Sequence, residues 1–362
     1  MRKILFLLLA SALACGCKKS ESVDTILEIS FGSGTAKFIK VDSDLGIVAC
    51  GVSDGKPYLV RLDDEMLVVT EISAEQNGIF TSVLFDDGYI IGGSSEGKML
   101  IMRFNKMGDK LWEKSVETSF KVEQTLLLKI GDNNFLAIGS PEPDAVYAAA
   151  NGIMFEVFDA SGQELNKQEY KGGYFLACND AAIDDLGYLY LTFTRKEEFA
   201  KPKASVAKFS SELNLLWEQE LANNLKYGAS ALAVAYSEGN VFVGGKTELP
   251  KTGGGLIDNS FIACLSDAGD VKWKKYPENS NSVVSIAINS RDEINLLNTN
   301  CFVVNVLFAS AGKDNRRISL YDVCEPATTD AFASDFDFDS NNNLVMAGAY
   351  EGKFYIAVKK QF

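Results

Sequence analysis

The chain is built of short apolar runs of five to eight residues, each closed by a cluster of Gly, Asp, Asn or Ser. Some runs alternate apolar and polar positions and others are apolar throughout. Both patterns predict β-strands, with one or both faces covered, joined as successive antiparallel hairpins. No segment sustains a 3.6-residue apolar period, so the pattern predicts no helical domain. Residues 81–119 carry one full unit. An apolar strand ends at the turn Asp86-Asp87-Gly88, and "YIIGGS", "KMLIMRFNK", a Gly-Asp turn and a strand opening "LWEKSV" follow.

The unit recurs along the chain. Its second strand reads "GIVACGVS" (46–53), "YIIGGSS" (89–95), "FLAIGSP" (135–141), "YLYLTFT" (188–194), "VFVGGKT" (241–247), "INLLNTN" (294–300) and "LVMAGAY" (344–350), each after a polar turn. Self-similarity at a period of roughly 40–50 residues marks a repeat architecture. Four strands in each of seven units predict an all-β, seven-bladed β-propeller of four antiparallel strands per blade, a ring that leaves only short edges exposed. The seventh unit supplies three strands before Phe362. "TILEISFGSG" (25–34) resembles the outer strands "KLWEKSVETS" and "MLVVTEISAE". The N-terminal strand, residues 25–31, is therefore expected to close the last blade, which would otherwise keep an unpaired edge.

Fourth strands carry Trp112, Trp217 and Trp273, and Asn166 of "ELNKQE" occupies the corresponding place between the first two. Gly108-Asp109-Lys110-Leu111-Trp112 and Gly269-Asp270-Val271-Lys272-Trp273 resemble the "G-D-x-x-W" of quinoprotein-like blades. The whole repeat resembles propeller units of secreted and lipid-anchored bacterial proteins. The resemblance implies a tryptophan packed between adjacent blades, with irregular docking here because only three blades carry one. It does not extend to a quinone. The quinoprotein enzymes resembled are larger and usually eight-bladed, and their cofactor-binding residues are not found here. No cofactor is expected.

The first residues divide the chain further. Arg2 and Lys3 precede an apolar stretch from Ile4 to Ala14, too short to span a bilayer but of the length of a secretory signal. Small residues then lead to Cys15 and Cys17, resembling the lipobox of bacterial lipoproteins, and "CKKS" with the polar residues after it resembles the mature start of Bacteroidota lipoproteins. The expected organisation is a signal peptide over 1–16, a lipidated tether over 17–24 and one propeller over 25–362. Cys17 is the lipidated residue in this reading and Cys15 is the alternative; an ordinary cleaved signal with incidental cysteines is a further reading. An outer-membrane lipoprotein facing the periplasm or the cell surface would be tethered by its lipid alone, since no later stretch approaches eighteen apolar residues. Cys50, Cys178, Cys264, Cys301 and Cys324 are scattered singly in apolar segments, which suits buried small hydrophobes. Cys301 with Cys324 is the one pair whose linkage merits a test.

Composition narrows the function. A chain of 362 residues that is 47% hydrophobic and 23% charged is foldable, not disordered. Its net charge of −14 opposes phosphate binding, so no nucleic-acid partner is expected. There is no histidine, which excludes Ser-His-Asp and Cys-His nucleophile systems, His-ligated metals and histidine pH switches.

Loop length points to one sector. The connections from second to third strand are short in blades one, two and seven and long in blades three, four and five: 141–151, 195–204 and 247–259. Long loops on a rigid scaffold tend to carry function. They offer Glu142, Asp144, Tyr147, Arg195, Lys196, Glu197, Phe199, Lys203, Lys251 and Asp258, a mixture of charge and aromatic rings suited to a sugar, peptide or protein. The bland reading is that these are neutral insertions. "DFDFDSNNN" (335–343) has the alternating oxygens of a calcium loop but lacks its glycine and its final glutamate, and reads as the end of an inner strand plus a turn. Asp335 and Asp337 are weak metal candidates facing the channel. "PKTGGG" lacks the Lys-Ser/Thr helix start of a phosphate cradle. Asp86-Asp87 and Asp184-Asp185 sit in repeated turns, not facing across a cleft. Two readings remain. One is a non-enzymatic envelope protein, expected as a monomer, that binds a glycan or an envelope protein. The other is a polysaccharide lyase or hydrolase using carboxylates at the channel mouth.

Overall fold

The computed structural model describes residues 26–44, 46–141, 152–171, 175–197, 200–221, 228–250, 256–276, 282–288, 293–298, 306–310, 319–321 and 331–360. Among the described residues every regular element is a β-strand. The first sheet contains β1 (Ile26–Asp42), β2 (Gly46–Ser53), β3 (Lys56–Leu62) and β4 (Val68–Ser73). The second is β5 (Ile79–Phe85), β6 (Tyr89–Ser95), β7 (Lys98–Phe104) and β8 (Lys110–Val116). The third is β9 (Gln124–Lys129), β10 (Asn134–Ser140), β11 (Gly152–Asp159) and β12 (Glu164–Lys171). The fourth is β13 (Phe175–Ile183), β14 (Leu189–Lys196), β15 (Lys203–Phe209) and β16 (Leu215–Glu220). The fifth is β17 (Ala229–Ser237), β18 (Asn240–Pro250), β19 (Leu256–Ser266) and β20 (Val271–Lys275). The sixth is β21 (Val283–Ile288), β22 (Glu293–Asn298), β23 (Val306–Ser310) and β24 (Ser319–Tyr321). Strands β25 (Ala331–Phe338), β26 (Leu344–Tyr350) and β27 (Lys353–Lys359) return to the first sheet, whose order is β25-β26-β27-β1-β2-β3-β4.

That seven-stranded sheet is two meanders sharing one strand. The first half of β1 pairs antiparallel with β27, Ile26 opposite Lys359 and Ile29 opposite Ile356. Its second half pairs with β2, Gly34 opposite Ser53 and Asp42 opposite Gly46. The C-terminal strand is thus covered by the N-terminal one, as the sequence predicts, and the covering strand runs on without a break into the next meander.

The core lies between sheets. Among the described residues seven apolar clusters each draw on two meanders that follow one another, such as Val48, Cys50 and Leu59 with Phe80, Val83 and Ile91, or Leu136 and Phe155 with Leu176, Leu191 and Phe209. Another joins Ile39, Ile47 and Ala49 to Val345, Phe354 and Ile356. A strand sandwiched this way is buried on both faces, which explains the continuous apolar runs of β6, β10 and β26. Fourth strands, covered on one side only, are largely exposed. Cys50, Cys178 and Cys264 are buried in these seams; Cys301 and Cys324 lie outside the described residues.

Two local devices repeat. First strands other than β9 carry a β-bulge, for example between Phe80 and Ser82 and between Ala333 and Asp335. The bulge pushes a carbonyl at the second strand, so that a Cβ on Gly93 or Gly348 would stand 2.1 Å from the oxygen of Ile79 or Phe332. This is the physical reason for the recurring glycine in "IIGGS" and "VMAGAY". In the turns from third to fourth strand, Asp63, Asn105 and Asp159 each accept the N–H groups two and four residues on.

Those turns receive the tryptophans. The indole N–H of Trp112 in the second sheet donates to Ala160 O of the third at 3.1 Å, and that of Trp217 in the fourth donates to Asp267 O of the fifth at 3.0 Å. Each ring lies against the turn glycine, Gly162 or Gly269, where a Cβ would meet it at 3.1 Å or 3.0 Å. Polar contacts reinforce the second seat: Tyr190 and Lys208 both donate to the Asp267 carboxylate. Register places Asn166 opposite Val157, as Trp112 is opposite Arg103 and Trp217 opposite Lys208. Asn166 therefore stands where a tryptophan is missing.

The structure corrects one expectation. Residues 247–259 are not one long loop: β18 and β19 continue pairing as far as Pro250 opposite Leu256, making the longest hairpin among the described residues.

Deleting residues 20–32 removes the ladder to β27 and the apolar contacts of Leu27, Ile29 and Phe31 with the terminal seam. The expected loss is at least ~3 kcal/mol, read as a melting temperature lower by roughly 5 °C or more. An unchanged melt would show that this pairing does not hold the fold.

Candidate functional site

The described parts of the long loops of the fourth and fifth sheets are joined by hydrogen bonds. Ala229 N–H, at the start of β17, donates to Pro202 O in the β14–β15 loop at 2.9 Å. Its neighbour Gly228 donates to Glu248 Oε2 at 3.1 Å and accepts from Glu248 N at 2.8 Å. A loop of the fourth sheet, the connection to the fifth and the projecting β18–β19 hairpin thereby form one continuous rim.

Of the residues expected to bind there, the structure brings Arg195 and Lys203 together as a cross-strand pair on β14 and β15. Like charges facing each other destabilise a sheet unless neutralised. Carboxylates supply that: Arg195 Nη1 lies 3.1 Å from Glu218 Oε1, and Lys203 Nζ lies 3.4 Å from Glu220 and 3.6 Å from Glu197. Lys196 ends β14, opposite Phe175 in register. The backbone of Asp258 pairs with that of Glu248 in the extended hairpin. Glu142, Asp144, Tyr147, Phe199 and Lys251, like Cys15 and Cys17, lie outside the described residues.

A second group of ionisable side chains lies along the first strands. Asp335 Oδ2 accepts the N–H of Ile39 at 3.0 Å and its Oδ1 the hydroxyl of Ser285 at 2.6 Å, so one carboxylate clasps the meanders on both sides. Asp337 Oδ2 accepts Val41 N–H at 3.0 Å and pairs with Lys40 Nζ at the same distance. The two candidates for a cation thus spend oxygens on neighbouring backbone, and among the described residues no three acidic, Cys or His side chains converge as a metal site. Asp180, not singled out from the sequence, does the same work on the fourth sheet, with Oδ2 accepting Val234 N–H at 2.8 Å. Its signal was available: Cys178-Asn179-Asp180 and Ala333-Ser334-Asp335 span the same bulge. Burial pushes the Asp180 carboxyl up to about 7, against its backbone hydrogen bonds, with the charge of Asp335 adding to the rise. Burial likewise pushes Asp335 up to about 6, against its Ser285 and backbone partners. Either group can exchange a proton near neutrality, but both are structural acceptors.

No family model matches the sequence, and no curated protein matches it. Solved structures share its fold. The Pan2 WD40 domain of Neurospora crassa superposes with a TM-score of 0.64 at 11% identity, covering 94% of this chain and 97% of its own. The WD40 β-propeller domain of Doa1 gives 0.64 at 13% identity, with 94% and 98% covered. A catalytically inactive histidine-to-alanine variant of virginiamycin B lyase from Staphylococcus aureus, with quinupristin, gives 0.61 at 10% identity, with 92% and 99% covered. At these identities the likeness establishes a propeller-like all-β fold.

The two raised carboxyls make a pH prediction. Unfolded aspartates protonate near pH 4, so between about pH 4 and 7 the folded chain holds more protons than the unfolded one. Stability from these groups is greatest at the acid end of that window and fades as pH rises through 6 and 7. The melting temperature is expected to be higher at pH 5.5 than at pH 8, and Asp180→Asn or Asp335→Asn to flatten the difference. An equal slope in both variants would place the titration on other groups.

Proposed function

We propose that the chain is a lipid-anchored, seven-bladed β-propeller of the bacterial envelope that serves as a non-enzymatic binding platform. A glycan or an envelope protein engages the rim of blades three to five. The observation that carries this reading is the lacing of the blade-four and blade-five part of that rim through Pro202, Gly228, Ala229 and Glu248. It supports the ion-paired Arg195 and Lys203, and the proposed binding set adds Lys196 and Asp258 with Glu142, Asp144, Tyr147, Phe199 and Lys251 of the same long loops by sequence. Rigid display lowers the ordering cost of binding. The seven inter-sheet clusters and the strand shared by both chain ends support the blade count and the closed ring. The leader ending at Cys15 and Cys17 supports the anchor, with Cys17 carrying the lipid.

A second reading, an enzyme working on polysaccharide, draws on the near-neutral Asp180 and Asp335. Their backbone contacts weigh against it. The lyase variant that shares the fold is inactive with one histidine replaced, and this chain contains none to play such a part.

Binding is tested on a glycan array and by envelope pull-down. The signal is expected to fall at least ten-fold when residues 142–150, 197–202 and 250–256 are each replaced by short Gly-Ser turns. Binding that survives all three replacements moves the site elsewhere, and polysaccharide cleavage lost in Asp180→Asn would establish the enzyme reading. Cys17→Ser is expected to abolish incorporation of labelled palmitate; loss only in Cys15→Ser would transfer the anchor.

A further inference from the structure

The seat left by Asn166 is a cavity of about 460 Å³ between the third and fourth sheets, within the size range of small-molecule sites. Its floor is apolar, with Leu136, Val157, Leu189 and Leu213 buried, and exposed Asn134 and Asn166 stand at its rim. It opens among the turns that join first to second and third to fourth strands, away from the laced rim.

What fits it can be read from the two occupied seats. In each, an indole ring lies flat against a turn, and its N–H donates to the carbonyl of the turn's second residue, Ala160 or Asp267. The equivalent turn of the fourth sheet is Ser210–Asn214. It is closed by the same hydrogen bond, here from Leu213 N to Ser210 O, and its second residue is Ser211. Leu213 has a φ of +66°, matching +84° at Gly162 and +92° at Gly269. Three differences thus separate this seat from the two filled ones. The ring on the fourth strand has become Asn166, and the turn glycine has become a leucine. The leucine takes part of the released space and the cavity is the remainder. Val157 replaces the cation opposite the ring, Arg103 or Lys208 in the filled seats, which leaves the floor apolar.

We propose that this cavity binds a small indole-type molecule, a planar fused aromatic with one ring N–H. Its ring replaces the missing tryptophan against the 210–214 turn and its N–H donates to Ser211 O. The rim reading stands or falls separately, because that site is on the other face and takes a different ligand.

The test uses the purified full chain and two probes, indole and 1-methylindole, followed by ligand-observed NMR titration. Indole is expected to bind saturably at one site. 1-Methylindole has the same ring without the donor and is expected to bind about five-fold more weakly, the worth of one net hydrogen bond. Asn166→Trp fills the seat from the fourth strand and is expected to abolish indole binding while raising the melting temperature. Val157→Phe fills it from the floor and provides a second variant should the first not fold. No saturable indole binding up to millimolar concentration, equal binding of the two probes, or binding retained in both folded variants would each overturn the proposal. The rim is monitored by its array signal, which Asn166→Trp leaves unchanged.

Discussion

The middle strand of each meander is covered on both faces, and β6 and β10 are buried almost from end to end. A single four-stranded sheet with two apolar faces is not a stable object in water. It becomes one only between two neighbours, each contributing half of a seam. Every other feature follows from that constraint. Bulged first strands carry the acceptors that latch one meander to the next, as Asp180 does to Val234 and Asp335 to Ile39. Fourth strands carry the rings that seat on the following turn. The two chain ends meet because a terminal meander without a partner would leave such a face in water.

Much of this is legible in the sequence because the repeat makes the chain its own alignment. Seven apolar runs after seven polar turns give the second strands closely, and β2, β6 and β26 coincide with "GIVACGVS", "YIIGGSS" and "LVMAGAY". The position of Asn166 as a missing tryptophan is readable from spacing alone. Residues 247–259 are misread as a loop because Gly and Pro punctuate the stretch, whereas Leu249, Leu256 and Ile257 continue the ladder past those signals. Asp180 emerges only when Cys178-Asn179-Asp180 is aligned with Ala333-Ser334-Asp335 across the shared bulge. A one-residue bulge shifts the phase of the strand, so a period-two reading sets its side chain on the wrong face.

The candidate site is less legible than the scaffold. Charge and length single out Arg195 and Lys203, but whether they face a ligand or each other depends on register. The register makes them opposite residues held by Glu218, Glu220 and Glu197. Carboxylates flagged by their pattern, Asp335 and Asp337, prove to be clasps between meanders. Acidic residues in this chain are often backbone acceptors, and a count of carboxylates overstates its capacity for chemistry.

The shared strand β1 also sets an order of assembly. Sheets two to six are made of hairpins between residues close in sequence, which form early and locally. The ladder from Ile26 to Lys359 joins opposite ends of the chain and can form only after the last strand has been synthesised. Until then β1 presents one finished and one open edge, exposed to pairing with another copy of the same segment. A chain that loses its last few residues is therefore not merely shortened. Without β27 it leaves the Ile26–Ser33 half of β1 with an uncovered edge open to pairing with another chain.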